Sequence, residues 1–116
     1  MKFKLIIAMV SDERIETVIE KAREMGATGA TVITSARGEG LNPSKTFFGL
    51  TLEGQTDVVL FIVEEHLCRD ILEEIAEAGE FHKTKGAGVV LQIDIEDVIG
   101  LDSQLNAIKE EIEEQL

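Results

Sequence analysis

The amino-acid sequence predicts an α+β sandwich: a four-stranded antiparallel sheet with two helices on one face, followed by a C-terminal helix. Two observations carry that reading. A compact apolar run, an apolar stripe at helical spacing and a β-branched run follow one another, and the same order then recurs. A glycine stands where each stripe stops. Two successive strand–helix–strand units give the ferredoxin-like split β-α-β arrangement. Right-handed crossovers then set the first and third strands side by side at the centre, antiparallel to each other.

Each element has its own signal. Phe3 to Val10 reads as a buried first strand. Ser11 reads as a helix cap, with Asp12 and Glu13 in a first turn where free amides and the helix dipole favour acids. Ile15, Val18, Ile19, Ala22 and Met25 form the first stripe, ended by Gly26, and Gly29 lies in the tight return. Thr31-Val32-Ile33 opens the second strand, and Asp57 to Val63 forms the third. Leu67, Cys68, Ile71, Leu72, Ile75 and Ala76 form the second stripe, ended by Gly79. Gly88 to Ile95 reads as the fourth strand, and Leu101, Leu105, Ile108 and Ile112 predict a helix within 101–116.

Two segments interrupt this plan. Residues 35–55 hold four glycines and the only proline, Pro43, with Phe47-Phe48-Gly49-Leu50 inside them. Residues 79–88, GEFHKTKGAG, place His82, Lys83 and Lys85 beside three glycines.

Composition bounds the function. The 116 residues suit a single domain, 1–116, and 44% hydrophobic residues exclude a disordered chain. A net charge of −12 opposes nucleic-acid backbones and anionic lipid surfaces, although a local pocket for a phosphate remains compatible with it. Seven acids against Lys109 alone lie between Glu96 and Leu116 and read as a solvated helix face. The longest apolar run, Val58 to Val63, is far short of a bilayer span, so no membrane insertion is expected. The lone Cys68 forms no intrachain disulfide and fits a reducing compartment, which predicts the cytoplasm.

His66 and Cys68 are two apart and do not share a helix face, so no metal-ligand set is expected. Neither His66 nor His82 has a recognisable serine or cysteine partner, so no catalytic site is expected either. The third and fourth strands are apolar on both sides, whereas helices cover one side of the sheet. Copies of the chain are expected to cover the other, in a closed homo-oligomer.

The order of elements and the local motifs resemble the nitrogen-regulatory PII signalling family over about residues 1–100. KLIIAMVSDERIETVIEKAREMGATGATV is similar to that family's first strand, first helix and Thr-Gly-x-Thr turn into strand two. Ala36-Arg37-Gly38-Glu39-Gly40 resembles the Gly-x-Gly motif at the base of its long interaction loop, the T-loop. Lys85-Gly86-Ala87-Gly88-Val89-Val90-Leu91 resembles its nucleotide-binding B-loop. The CutA proteins share the trimeric fold, but the glycine-rich loops here match PII better.

The resemblance implies a homotrimer without a catalytic site that senses adenine nucleotides in clefts between subunits. The loop then docks on a regulatory target such as a membrane transporter. It implies no required cofactor, and ATP, ADP or AMP as the ligand. Several positions depart from the family pattern. Val89 stands where the B-loop has its phosphate lysine, Gly100 and Asp102 where two arginines follow strand four, and Ser11 where a lysine follows strand one. The T-loop-like segment is short and the chain has no tyrosine.

The expected nucleotide-binding residues are Thr31, Arg37, Gly38, Gly40, Lys83, Lys85, Gly86, Ala87 and Gly88. Thr31 reads as a contact to the adenine ring or simply as a strand residue, and Arg37 as a contact to a phosphate or to a partner carboxylate, or equally as a solvated side chain. The glycine pairs read equally as a phosphate cradle or as turn geometry, with Lys83 and Lys85 replacing some of the charge absent at Val89. Lys45, Phe47, Phe48 and Leu50 are the expected partner-binding residues. They serve the leading reading, a nucleotide-dependent regulator, and its alternative, a nucleotide-independent trimeric adaptor.

Overall fold

The computed structural model describes residues 1–36, 46–47, 50–51, 56–84, 86–101, 109–110 and 112–113. Its frame is a pair of nine-residue strands, β1 (Phe3–Ser11) and β5 (Thr56–Glu64), antiparallel and in continuous register from Phe3 opposite Glu64 to Ser11 opposite Thr56. β2 (Thr31–Ala36) pairs with the outer side of β5, and β6 (Gly88–Asp94) with the outer side of β1. The order β2-β5-β1-β6, antiparallel throughout, is the expected ferredoxin-like sheet. A separate short hairpin joins β3 (Thr46–Phe47) to β4 (Leu50–Thr51).

Period-two alternation divides the central strands. Ile6, Ala8 and Val10 of β1 and Val59, Phe61 and Val63 of β5 face the helices and are buried. Helix α1 (Ile15–Glu24) lays Ile15, Val18 and Ala22 on them, and α2 (Glu65–Ala78) adds Leu67, Cys68, Ile71 and Ile75. Each large apolar side chain, once buried, contributes roughly 1.5–3 kcal/mol, which makes this layer the main source of stability.

Ser11 holds the expected N-cap position in extended conformation, with Asp12 and Glu13 in the first turn, but of a 3₁₀ segment. The chain first turns through a 3₁₀ segment, Asp12–Arg14, so α1 begins at Ile15, and Ser11 makes no side-chain capping bond. Gly26 (φ 116°) ends α1 as expected. Of the predicted C-terminal helix, residues 109–110 and 112–113 are helical and Ile112 packs on the core; the rest lies outside the described residues.

The opposite face of the sheet is also apolar. Leu5, Ile7 and Met9 of β1 lie between Ile62, Leu60 and Val58 of β5 and Ile93, Leu91 and Val89 of β6. These nine side chains form a three-by-three grid. Ile62 and Ile93 are exposed and the others half-buried, with Ile33 exposed beside them on β2.

Candidate functional site

The 79–88 turn is built from backbone constraints. Gly79 caps α2 in a right-handed conformation (φ −81°), and the left-handed position falls instead on Glu80 (φ 56°). A non-glycine residue there costs roughly 1–2 kcal/mol. The Glu80 carbonyl accepts from the amides of Lys83 (3.1 Å) and Thr84 (3.0 Å), and the Ala87 amide donates to the Thr84 carbonyl at 3.1 Å. Gly86 (φ 74°) occupies the second left-handed position.

Gly79 and Gly88 hold the Phe81 ring between them. A Cβ on either would come within 2.3 Å of that ring, and one on Gly88 would also meet the Met9 carbonyl at 2.7 Å. Gly88 then enters β6 opposite Val10. Both expected loop glycines thus have a local reason: positive φ at Gly86 and steric closeness at Gly88. Between them Ala87 is buried, and its amide is engaged by the Thr84 carbonyl. Lys83 is exposed at this turn, and Lys85 lies outside the described residues.

Thr31 sits on the other edge of the sheet. It lies opposite Leu60 and lines a hollow of about 360 Å³ with Leu5, Thr28, Gly29, Ile62 and Leu101, among others. Leucine and isoleucine side chains line one part of it and Thr28, Gly29 and Thr31 another, a mixed lining that offers both a flat contact and hydrogen-bonding groups. Three interstrand steps separate β2 from β6, roughly 14 Å at ordinary strand spacing. Thr31 and the Gly86–Gly88 turn therefore do not converge within one chain.

The remaining expected positions are Arg37, Gly38, Gly40, Lys45 and Phe48, which lie outside the described residues. Phe47 and Leu50 are opposite one another in the β3–β4 hairpin. Val89, at the position of the B-loop lysine, opposes Met9 on the apolar grid.

Three features escape a reading by motif. The first is an ion pair between Arg14 of the 3₁₀ segment and Glu80, Nη2 to Oε2 at 2.6 Å. No local spacing signals it, since strand pairing alone joins these distant segments. The second is Glu64, buried at the head of α2. Its carboxylate accepts from the His66 amide at 2.7 Å and meets His66 Nδ1 at 2.5 Å. Glu64, Glu65 and His66 offer potential metal-ligand atoms within 4.8 Å of one another, but Glu64 already serves there as the helix cap. The third is Cys68, whose thiol reaches Gln92 Oε1 at 3.2 Å. Burial pushes this thiol up; Lys4 opposes the shift and Asp94 adds to it.

Among the described residues no helix is long and apolar enough to cross a membrane. A family model described as nitrogen regulatory protein P-II matches residues 3–104. No curated protein sequence matches significantly. Among solved structures, a PII-like signaling protein from Thermus thermophilus is 24% identical, with a TM-score of 0.57, covering 82% of this chain and 90% of its own. The apo form of CPII, a nitrogen regulatory PII-like protein from Thiomonas intermedia, is 19% identical, with a TM-score of 0.62 and coverage of 82% and 90%. CPII bound to ADP, AMP and acetate is 18% identical, with a TM-score of 0.59 and coverage of 83% and 90%.

Proposed function

The chain belongs to the nitrogen regulatory protein P-II family, whose members are signalling proteins and not catalysts, and from that premise we propose that it is a nucleotide-responsive regulator of a partner protein. It works as a cytoplasmic homotrimer. ADP or AMP, the nucleotides held by CPII, or ATP binds between subunits, and residues 35–55 carry the response to the target. A membrane transporter is the target class that the family suggests.

The observation that supports this reading best is the separation of Thr31 from the Gly86–Gly88 turn across the sheet. One half offers a hollow for a base and the other a glycine turn for phosphates, so a shared site needs two chains. The apolar grid supplies the reason for those chains to meet. Binding then alters the loop through different contacts in its two states.

Isothermal titration calorimetry with ATP, ADP, AMP and cyclic AMP at fixed magnesium tests the proposal, alongside light scattering for the assembly. Saturable binding lost in Thr31→Ala and in Gly86→Val is the expected result. A trimer indifferent to all four nucleotides would overturn it. The second reading, a nucleotide-independent adaptor, is favoured by the β3–β4 hairpin, which is paired on itself and separate from the main sheet. Target capture lost in Phe47→Ala/Phe48→Ala without any nucleotide effect would select that reading.

A further inference from the structure

The loop that receives phosphates in the proposed function has Lys83 and Lys85 against Glu80, but no lysine after its second glycine. Val89 spends its position on the apolar grid, and the chain as a whole carries −12. An anion approaching such a protein needs a local cation. Arg14 is placed to be one. Gly88 opposes Val10, and the chain runs from Val10 through Ser11 directly into the 3₁₀ segment, so Arg14 and the glycine turn share one end of the sheet. Its guanidinium is already turned toward that loop, held by Glu80 at the loop's start.

We propose that Arg14 is a further phosphate ligand of this site and that Glu80 holds it in reserve until the nucleotide arrives. The inference rests on the nucleotide reading above and names a residue of that same site. Three observations favour an exchangeable pair over a fixed strut. Both side chains are about one-third exposed (35% and 36%), so the pair contributes little to stability and is cheap to part. A phosphate offers the guanidinium the same two-oxygen geometry as the carboxylate, with more charge. Glu80 also sits in a left-handed conformation that its type disfavours, although its carbonyl already closes the turn onto Lys83 and Thr84. The turn is closed by backbone, which leaves the Glu80 side chain available for another purpose.

The exchange is a change of ionic partner, with no bond made or broken. In the free protein Glu80 neutralises Arg14; in the bound protein the phosphate does, and Glu80 turns to water. Glu80 is therefore a competitor for the site as well as its keeper.

Calorimetry on the full chain with ADP, and with adenosine as the phosphate-free probe, decides the matter. Arg14→Gln is expected to weaken ADP by about tenfold or more, the value of a charge-assisted phosphate contact. Glu80→Gln is expected to tighten ADP by about threefold to tenfold, since it removes the competing charge. Glu80→Gly, which suits the positive φ, is expected to act in the same direction and guards against a misfolded glutamine variant. Adenosine affinity should be unchanged in all three. Weaker ADP binding in both the Arg14 and the Glu80 variants would mean that the pair only shapes the loop, and would overturn the proposal. So would wild-type affinity throughout, or parallel loss of ADP and adenosine. If the wild-type chain binds neither probe, the nucleotide reading falls first and this inference with it, an outcome distinct from binding that ignores Arg14 and Glu80.

Discussion

The two faces of the central sheet are built from the same kinds of residue and end in different environments. On one face Ile6, Ala8, Val10, Val59 and Phe61 are fully enclosed by two helices. On the other Leu5, Ile7, Met9, Val58, Leu60 and Ile62 remain half-buried or exposed. Hydrophobicity alone does not distinguish them. What does is the crossover rule, which sends both helices to one side and leaves the second side for another molecule. The enclosed face holds the chain together, and the open one is the surface on which the proposed assembly would form.

Substitutions sharpen that contrast. The largest effect is expected from Phe61→Ala on the enclosed face, a loss of about 3–5 kcal/mol read from chemical denaturation, because the cavity has no neighbour to refill it. On the open face Leu60→Asp is expected to abolish assembly in light scattering while far-UV circular dichroism stays native. Loss of fold in that variant would erase the distinction between the faces. At the junction of loop and sheet, Gly88→Ala is expected to cost about 1–3 kcal/mol, since the Met9 carbonyl is backbone and cannot step aside.

The smallest effect concerns pH. The Cys68 thiol ionises less readily when folded than when unfolded, so its contribution is present below the unfolded thiol's ordinary pKa. Stability is expected to fall as pH rises beyond that value, because the unfolded chain releases the proton first. Cys68→Ala should flatten that decline in thermal melts; an identical slope in both proteins would remove the thiol from the account.

Much of this architecture is legible in the chain itself. Compact apolar runs at Phe3–Val10 and Asp57–Val63, each followed by a stripe at helical spacing, specify both the elements and the order of strands. The local chemistry is less legible. Gly79 marks the end of α2, yet the unusual backbone falls one residue later on Glu80, while Gly79 itself leaves room for the Phe81 ring. Ser11 has the composition of a cap, but the intervening 3₁₀ turn moves the helix start away from it. The partnership of Arg14 with Glu80 belongs to strand pairing and not to spacing. Thr31 and Gly88 read as members of one site, and the strand order places them on opposite edges.

The ring of Phe81, held between two glycines, also constrains how this sequence can change over generations. Neither glycine can acquire a side chain without crowding while the aromatic residue remains; loss of the ring would clear Gly79, but Gly88 would still meet the Met9 carbonyl. Descendants should therefore show the aromatic changing before Gly79, while Gly88 stays held by the strand backbone as well. That order is a historical signature of steric closeness, written in lineages rather than in any one molecule.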